Sequence, residues 1–268
     1  MQDFTDLHFR KFNNFIYDKL GICVGEEKKQ VLHTKLSRLM AKNNISSYDE
    51  YYNILSQNRE KHYIIEFNEV ITVNKTDFFR EINHFNYIKQ KIHLIFEQNP
   101  RILKNKEIRV WSSACSTGQE PYTIAMILSE CLPPEIAIKI LATDISKRVI
   151  EVAQMGVYNQ NIINEVQPLY LQKYFKKHND SFSVNDSIKN LITFRLFNLM
   201  CSFPFKNTFD IVFCRNVMIY FDAVVQQQVV NKFYNVMAPR GLLLIGHSES
   251  LAGKEHRFEY IQPTIYIK

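Results

Sequence analysis

Between Arg109 and Met126 the chain reads RVWSSACSTGQEPYTIAM, and no other stretch limits the possible folds as much. An apolar β-type run stops at a turn of small residues holding a single glycine, and a helix-compatible segment begins at once. Strand, tight turn and helix N-terminus in that order present backbone N–H groups to a ligand. Glu120 lies inside the turn. A phosphate would be repelled by that carboxylate, whereas a cationic ligand is attracted. The sequence also lacks both the G-x-G-x-x-G dinucleotide fingerprint and the G-x-x-x-x-G-K-[ST] phosphate loop. A cofactor without a pyrophosphate fits better.

The sequence on either side extends the alternation. Ile108–Ser112, Ile138–Thr143, Phe209–Cys214 and Leu242–Gly246 read as strands, and Pro121–Cys131, Lys147–Gln154 and Ala223–Met237 as helices. Such alternation predicts right-handed βαβ units, a mostly parallel sheet and an α/β fold. Glu259–Ile267 adds a last β-rich stretch. Residues 165–195 are too long for a plain connection. They hold two short β-type runs, Phe182–Val184 and Leu191–Arg195, and read as an inserted antiparallel β-subdomain. Residues 1–70 read instead as a small helical bundle. There Leu32, Leu36, Leu39 and Met40 recur at helical spacing, and Ser47 and Glu50 fit the N-cap and N3 positions of a helix. Residues 71–107 read as a linker with a connecting helix, and 108–268 as the α/β domain.

In a doubly wound sheet ligands sit beyond the carboxyl ends of the strands. The residues there are Ser116, Gly118 and Glu120 after the first strand, Asp144 after the second, Asn198 and Leu199 after ITFRLF, and Arg215 and Asn216 after FDIVFC. Asp144 is placed to accept both hydroxyls of a ribose.

No apolar run approaches the ~20 residues needed to cross a bilayer, and MQDFTDLHFRKF carries charges where a secretory signal would be apolar. These features predict a cytoplasmic protein with no direct membrane insertion. The five cysteines are scattered with no C-x-x-C pair, so neither a zinc framework nor disulfides are expected, and the thiols read as reduced packing residues. His247 and Glu249 in GHSES show no convergent third ligand, so no metal site is expected. Lys28, Lys29, Lys35, Arg38 and Lys42 fall in a stretch without acids. That run suits either an anionic partner or an ordinary solvated helix face.

Taken in order, VNKTDFFRE (73–81), RVWSSACSTGQEPYTIAM, LATDIS, FNLM (197–200), FDIVFCRNVMIYFD (209–222) and GLLLIGHSES (241–250) carry a resemblance. The chain resembles the chemotaxis-receptor glutamate methyltransferases from about residue 10 to residue 268. FFRE, CSTGxEPY and RNVMIYF are the specific elements. The resemblance implies a helical N-terminal domain, a linker and a Rossmann-like S-adenosylmethionine-dependent methyltransferase domain with an inserted β-subdomain. It implies methylation of glutamate side chains on the cytoplasmic methylation helices of bacterial chemoreceptors, with S-adenosyl-L-homocysteine as product. Cofactor contacts are implied at Asn74, Thr76, Arg80, Glu120, Asp144, Asn198, Leu199, Arg215 and Asn216, with Arg80 and Tyr220 nearest the methyl-transfer site. The resemblance also gives Lys35, Arg38 and Lys42 a role in docking acidic receptor helices.

Two departures stand out. Gln119 occupies a place where the family usually has a first acid. KKHNDSFSV lacks the glycine-containing loop of members that grip a C-terminal pentapeptide tether, which implies tether-independent recognition. Amino-group methylators of nucleic-acid bases commonly carry a Pro-Pro-aromatic motif after the third strand noted above. Arg215-Asn216-Val217-Met218 stands there instead, so no nucleic-acid partner is expected.

Overall fold

The computed structural model describes residues 3–57, 60–206 and 208–268. The chain divides into two compact units, residues 1–73 with 220–225, and residues 74–219 with 226–268.

The first unit is helical, with α1 (Asp6–Leu20), α2 (Lys29–Lys42), α3 (Tyr48–Gln57) and α4 (Lys61–Ile71). Thr5 caps α1 in a capping box with His8, and Ser47 Oγ accepts from Glu50 N at 3.4 Å at the start of α3. Leu32, Leu36, Leu39 and Met40 of α2 are all buried, as their spacing requires. Residues 220–225 belong here because Ile22 pairs with Phe221 and the Tyr17 hydroxyl donates to Asp222 at 2.8 Å.

The second unit opens with α5 (Asn83–Gln98) and α6 (Pro100–Asn105), followed by β1 (Glu107–Ser112), α7 (Gln119–Cys131), β2 (Ala137–Asp144) and α8 (Lys147–Met155). An insert comes next, made of β3 (Val157–Asn159), α9 (Gln160–Ile163), α10 (Pro168–Tyr174), β4 (Phe175–His178), β5 (Ser181–Val184) and α11 (Asp186–Lys189). The unit closes with β6 (Ile192–Leu196), β7 (Phe209–Cys214), α12 (Ala223–Val236), β8 (Met237–Ile245), β9 (Glu259–Gln262) and β10 (Ile265–Ile267).

Seven strands form one sheet in the order β6-β2-β1-β7-β8-β10-β9. The first five are parallel, and β10 runs antiparallel to both β8 and β9. From β1 the chain winds outward through β2 and β6 on one side and through β7 and β8 on the other. The strand order therefore reverses between β1 and β7, which puts a ligand crevice at their carboxyl ends. Every residue of β7 is buried, as expected for a strand covered on both faces. Trp111 of β1 is fully buried among Phe197, Phe203, Phe205, Phe209 and Phe233.

The structure differs from the sequence reading in three places. The small antiparallel sheet has the order β3-β5-β4 and begins at Val157. The run at 191–195 does not join it, because β6 pairs parallel with β2 at the edge of the main sheet. Two short β-type runs look alike in composition, and the three residues of β3, only one of them buried, carry no periodic signal. Within residues 71–107, read as a linker with a connecting helix, α5 and α6 place Phe85, Ile88, Ile92, Ile95 and Ile102 in the same core as the sheet. Cys115 and Cys214 are buried, but Cys23 and Cys201 are exposed rather than packing residues.

A buried acid ties the sheet's base together. Asp210 of β7 accepts from Asn99 Nδ2 at 2.7 Å, Arg101 Nε at 3.2 Å and Arg109 N at 2.8 Å. Removing one partner of a buried pair costs about 3–5 kcal/mol, and Arg101 keeps a wet edge. Asp210→Ala is therefore expected to lower unfolding stability by about 3 kcal/mol, and Asp210→Asn by less, read from urea midpoints.

Candidate active site

The turn after β1 is held open at the switch point by local contacts. Cys115 N donates to Thr143 O of β2 at 2.8 Å, and Ser116 Oγ donates to Asn74 O at 2.7 Å. Gly118 has φ +97°, and a Cβ there would lie 2.9 Å from both Ala153 Cβ and the Tyr158 hydroxyl. Glycine is thus required both by the backbone conformation and by the close approach of the insert. At the end of β2, Asp144 Oδ2 accepts from Ser116 N at 2.9 Å and Oδ1 from Ser146 N at 3.0 Å. A carboxylate has about four acceptor positions, and with the N–H of Ile145 also bound about one is left for a hydroxyl. Burial raises the Asp144 carboxyl above its usual value, opposed by the N–H groups of Ser146, Ser116 and Ile145.

Arg215, directly after β7, is the centre of the site. Its buried guanidinium donates from Nη1 to Glu120 Oε2 at 3.1 Å, and from Nε and Nη2 to Glu81 Oε2 at 3.2 and 3.1 Å. Nη2 also donates to the Arg80 carbonyl, and the group lies 5.5 Å from the Phe85 ring centroid. Glu120 Oε1 accepts from Ser112 Oγ at 2.7 Å. Glu81 Oε1 accepts from Asn216 Nδ2 at 3.1 Å and His247 N at 3.2 Å. One cation between two carboxylates leaves the trio net anionic. Burial raises both acids. For Glu120 burial prevails over Arg215 and Ser112, and its pKa stands above the usual range. For Glu81 the Arg215 charge, Asn216 and His247 prevail, and its pKa stands below.

A second carboxylate fixes the loop after β7. Glu249 accepts from the backbone N–H groups of Asn216, Val217, Met218 and Ile219 at 2.7 to 3.3 Å, and from that of Gly246. A side chain at Gly246 would approach Asn216 Nδ2 to 2.6 Å. Neither Glu81 nor Glu249 stands among the site residues read from the sequence. Their only signal was membership of FFRE and GHSES.

The other expected positions distribute as follows. Asn74, Thr76, Arg80, Glu120, Asp144, Asn198, Leu199, Arg215 and Asn216 all fall in the second unit. Arg80 is half-buried, its Nη1 donates to the Lys75 carbonyl at 2.9 Å, and its charge acts to lower the Glu120 pKa. Thr76 is half-buried, Asn198 Oδ1 accepts from Met200 N at 2.9 Å, and Leu199 is buried. Tyr220 ends a short 3₁₀ turn, Met218–Tyr220, and its carbonyl accepts from Cys23 N at 3.0 Å within the first unit. Of the basic residues on α2, Arg38 is exposed, whereas Lys42 pairs with Glu66 at 2.7 Å. Lys35 is half-buried with its Nζ 3.5 Å from the Ile71 carbonyl. His247 does find convergent groups, contrary to the sequence expectation, but with Glu81 and His84 rather than with Glu249.

The crevice thus sets two carboxylates, Glu81 and Glu120, around Arg215, with the buried Asp144 carboxylate one strand away. Residues 74–267 match the family described as CheR methyltransferase, SAM binding domain, and residues 7–72 match CheR methyltransferase, all-alpha domain. The chemotaxis protein methyltransferase of Borreliella burgdorferi is 39% identical over 94% of this chain and 91% of its own length. That of Escherichia coli is 34% identical over 98% and 91%. A probable chemotaxis protein methyltransferase of Rhizobium etli is 34% identical over 94% and 96%. With both family domains in order and relatives matched along nearly their whole length, this chain belongs to the CheR methyltransferase family.

Proposed function

We propose that the chain acts in the cytoplasm, transferring a methyl group from S-adenosylmethionine to glutamate side-chain carboxylates of bacterial chemoreceptors. The products are glutamate methyl esters and S-adenosylhomocysteine. The observation that carries this reading is the net-anionic Glu81–Arg215–Glu120 trio at the switch point, beside Asp144. The cofactor, when bound, supplies an electrophilic methyl on a sulfonium. A glutamate carboxylate is ionised at pH 7, its ordinary pKa being about 4.3, so the step needs no general base. The work left to the protein is alignment, with reacting atoms held roughly 3–3.5 Å apart. Asp144 accepts a ribose hydroxyl, and Glu120 takes the α-ammonium while Arg215 holds it in place. Arg80 orients a carboxylate, that of the cofactor or the acceptor, by paired hydrogen bonds. Tyr220 hydrogen-bonds near the methyl group and limits water.

The receptor's acidic helices are met by α2. The exposed Arg38 is the main contributor there, since Lys42 already has Glu66. Recognition is independent of a pentapeptide tether. The β4–β5 hairpin closes through Asn179 and Asp180 alone, with His178 paired to Ser181, which supports this by leaving no loop to grip a peptide. The direct test is transfer of radiolabelled methyl from S-adenosylmethionine to receptor membranes, with base-labile release as methanol.

Glu120→Gln and Asp144→Asn are each expected to weaken S-adenosylhomocysteine binding about 10- to 100-fold by calorimetry, the range for a hydrogen bond to a charged group. Because burial holds both acids above ordinary carboxylate values, they protonate early as pH falls. Affinity in the native chain should therefore decline, as pH falls, before ordinary carboxylates protonate, and the decline should flatten in the double variant. Arg38→Glu should cut receptor methylation several-fold at low salt and leave S-adenosylhomocysteine affinity unchanged, with Lys42→Glu weaker. An unaltered methylation rate would remove α2 from the docking surface.

A further inference from the structure

Beside Arg215 the second unit brings Glu81 of the trio together with two histidines, His84 and His247, that methyl transfer itself does not call on. We propose that Glu81, His84 and His247 form a site for a divalent transition ion of the zinc class. His84 Nδ1 lies 3.6 Å and His247 Nε2 4.0 Å from Glu81 Oε2, and the three ligand atoms lie within 4.8 Å of one another. Ligands held about 2.0–2.1 Å from tetrahedral zinc lie roughly 3.4 Å apart. The cluster is therefore close to that spacing, and the exposed His247 is free to complete it.

His84 supplies the stronger sign. It is 1% exposed, yet among the described residues its Nδ1 has no hydrogen-bond partner. The Glu81 oxygen at 3.6 Å is too distant to serve. Its other nitrogen, Nε2, sits 2.7 Å from Thr264 Oγ1, and that hydroxyl donates to the Pro263 carbonyl at 2.6 Å. With the hydroxyl proton so engaged, Nε2 carries the imidazole proton and Nδ1 presents a bare lone pair toward Glu81 and His247. A histidine pinned through its far nitrogen by an oxygen is the arrangement that orients metal-ligating imidazoles. An unpaired buried nitrogen costs free energy unless something binds there.

Access and charge also fit. A cavity of about 530 Å³ reaches His84 and His247 between Asn83, Tyr87, Gln90 and Thr264. It brings open space up to both histidine rings. Two imidazoles and a carboxylate make a nitrogen–oxygen donor set suited to zinc, cobalt or nickel rather than calcium or magnesium. Arg215 repels a cation, but Glu81 and Glu120 together outweigh it. A bound ion and Arg215 would draw on the same Glu81 oxygen.

The site is tested on the full chain carrying Cys23→Ser and Cys201→Ser, which removes the exposed thiols as competing ligands. Cobalt(II) titration followed by visible absorption and calorimetry should show one equivalent bound, with a spectrum of nitrogen and oxygen ligands and no thiolate charge-transfer band. His247→Ala, at an exposed position that leaves the core intact, should weaken binding at least tenfold, and His84→Gln likewise. No saturable binding, a thiolate band, or affinity unchanged in His247→Ala would each overturn the proposal. These readouts do not involve methyl transfer, so they stand apart from failure of the proposed function.

Discussion

A guanidinium taken out of water must be met by charge and by acceptors on every donor, or the fold does not tolerate it. Arg215 is met by Glu81, by Glu120 and by the Arg80 carbonyl. These partners come from two separate places, the segment before α5 and the first turn of α7, and they meet Arg215 at the end of β7. The ion network therefore makes the shape of the crevice a single unit, in which the FFRE segment cannot shift without stranding the charge. Phe85 closes the remaining face of the guanidinium and stacks on Phe213 at 5.8 Å, so α5 supplies the apolar packing and the residues just before it, Arg80 and Glu81, supply acceptors.

Backbone conformation follows the same logic. Phe79, Glu81, Ser116 and Asn216 all have positive φ between 46° and 57°. For residues with a Cβ this is costly, of order 1–3 kcal/mol each. All four lie in the segments that line the crevice, and each is held by a bond made from that conformation or beside it. Ser116 N reaches Asp144, Asn216 N reaches Glu249, and Phe79 N reaches Thr123 Oγ1. Glu249, ringed by backbone N–H groups, acts as a buried anion that sets the curvature of the loop after β7. Strain and buried charge offset one another within one small volume.

Much of the fold was legible because the α/β unit is built from strands and helices whose periodicities differ. The boundaries of β1, β2 and β7 were read to within a residue, and those of α8 likewise. β6 was assigned to the wrong sheet because an edge strand of five residues looks the same whether its partner is parallel or antiparallel. The positions of Asp144, Arg215 and Asn216 at strand ends beside the switch point were legible because the strands themselves were. Glu81 and Glu249 were not, because their importance comes from what folds onto them. Nothing in the residues near Glu249 shows that the N–H groups of 216–219 will turn toward it. Likewise Lys42 read as free charge until the fold placed Glu66 beside it.

Glu120 shows how these constraints are reconciled. It lies in the first turn of α7, where the positive end of the helix favours a carboxylate. Ser112 and Arg215 add donors, yet burial still raises its pKa. A carboxylate held at that margin would bind an ammonium more strongly than a well-hydrated acid would, because little solvation is left to lose. It remains dependent on Arg215 for its orientation. The crevice is therefore organised to hold positive charge without adding a base. That is what transfer of an electrophilic methyl to an already ionised oxygen requires, since such a reaction is limited by geometry rather than by proton transfer.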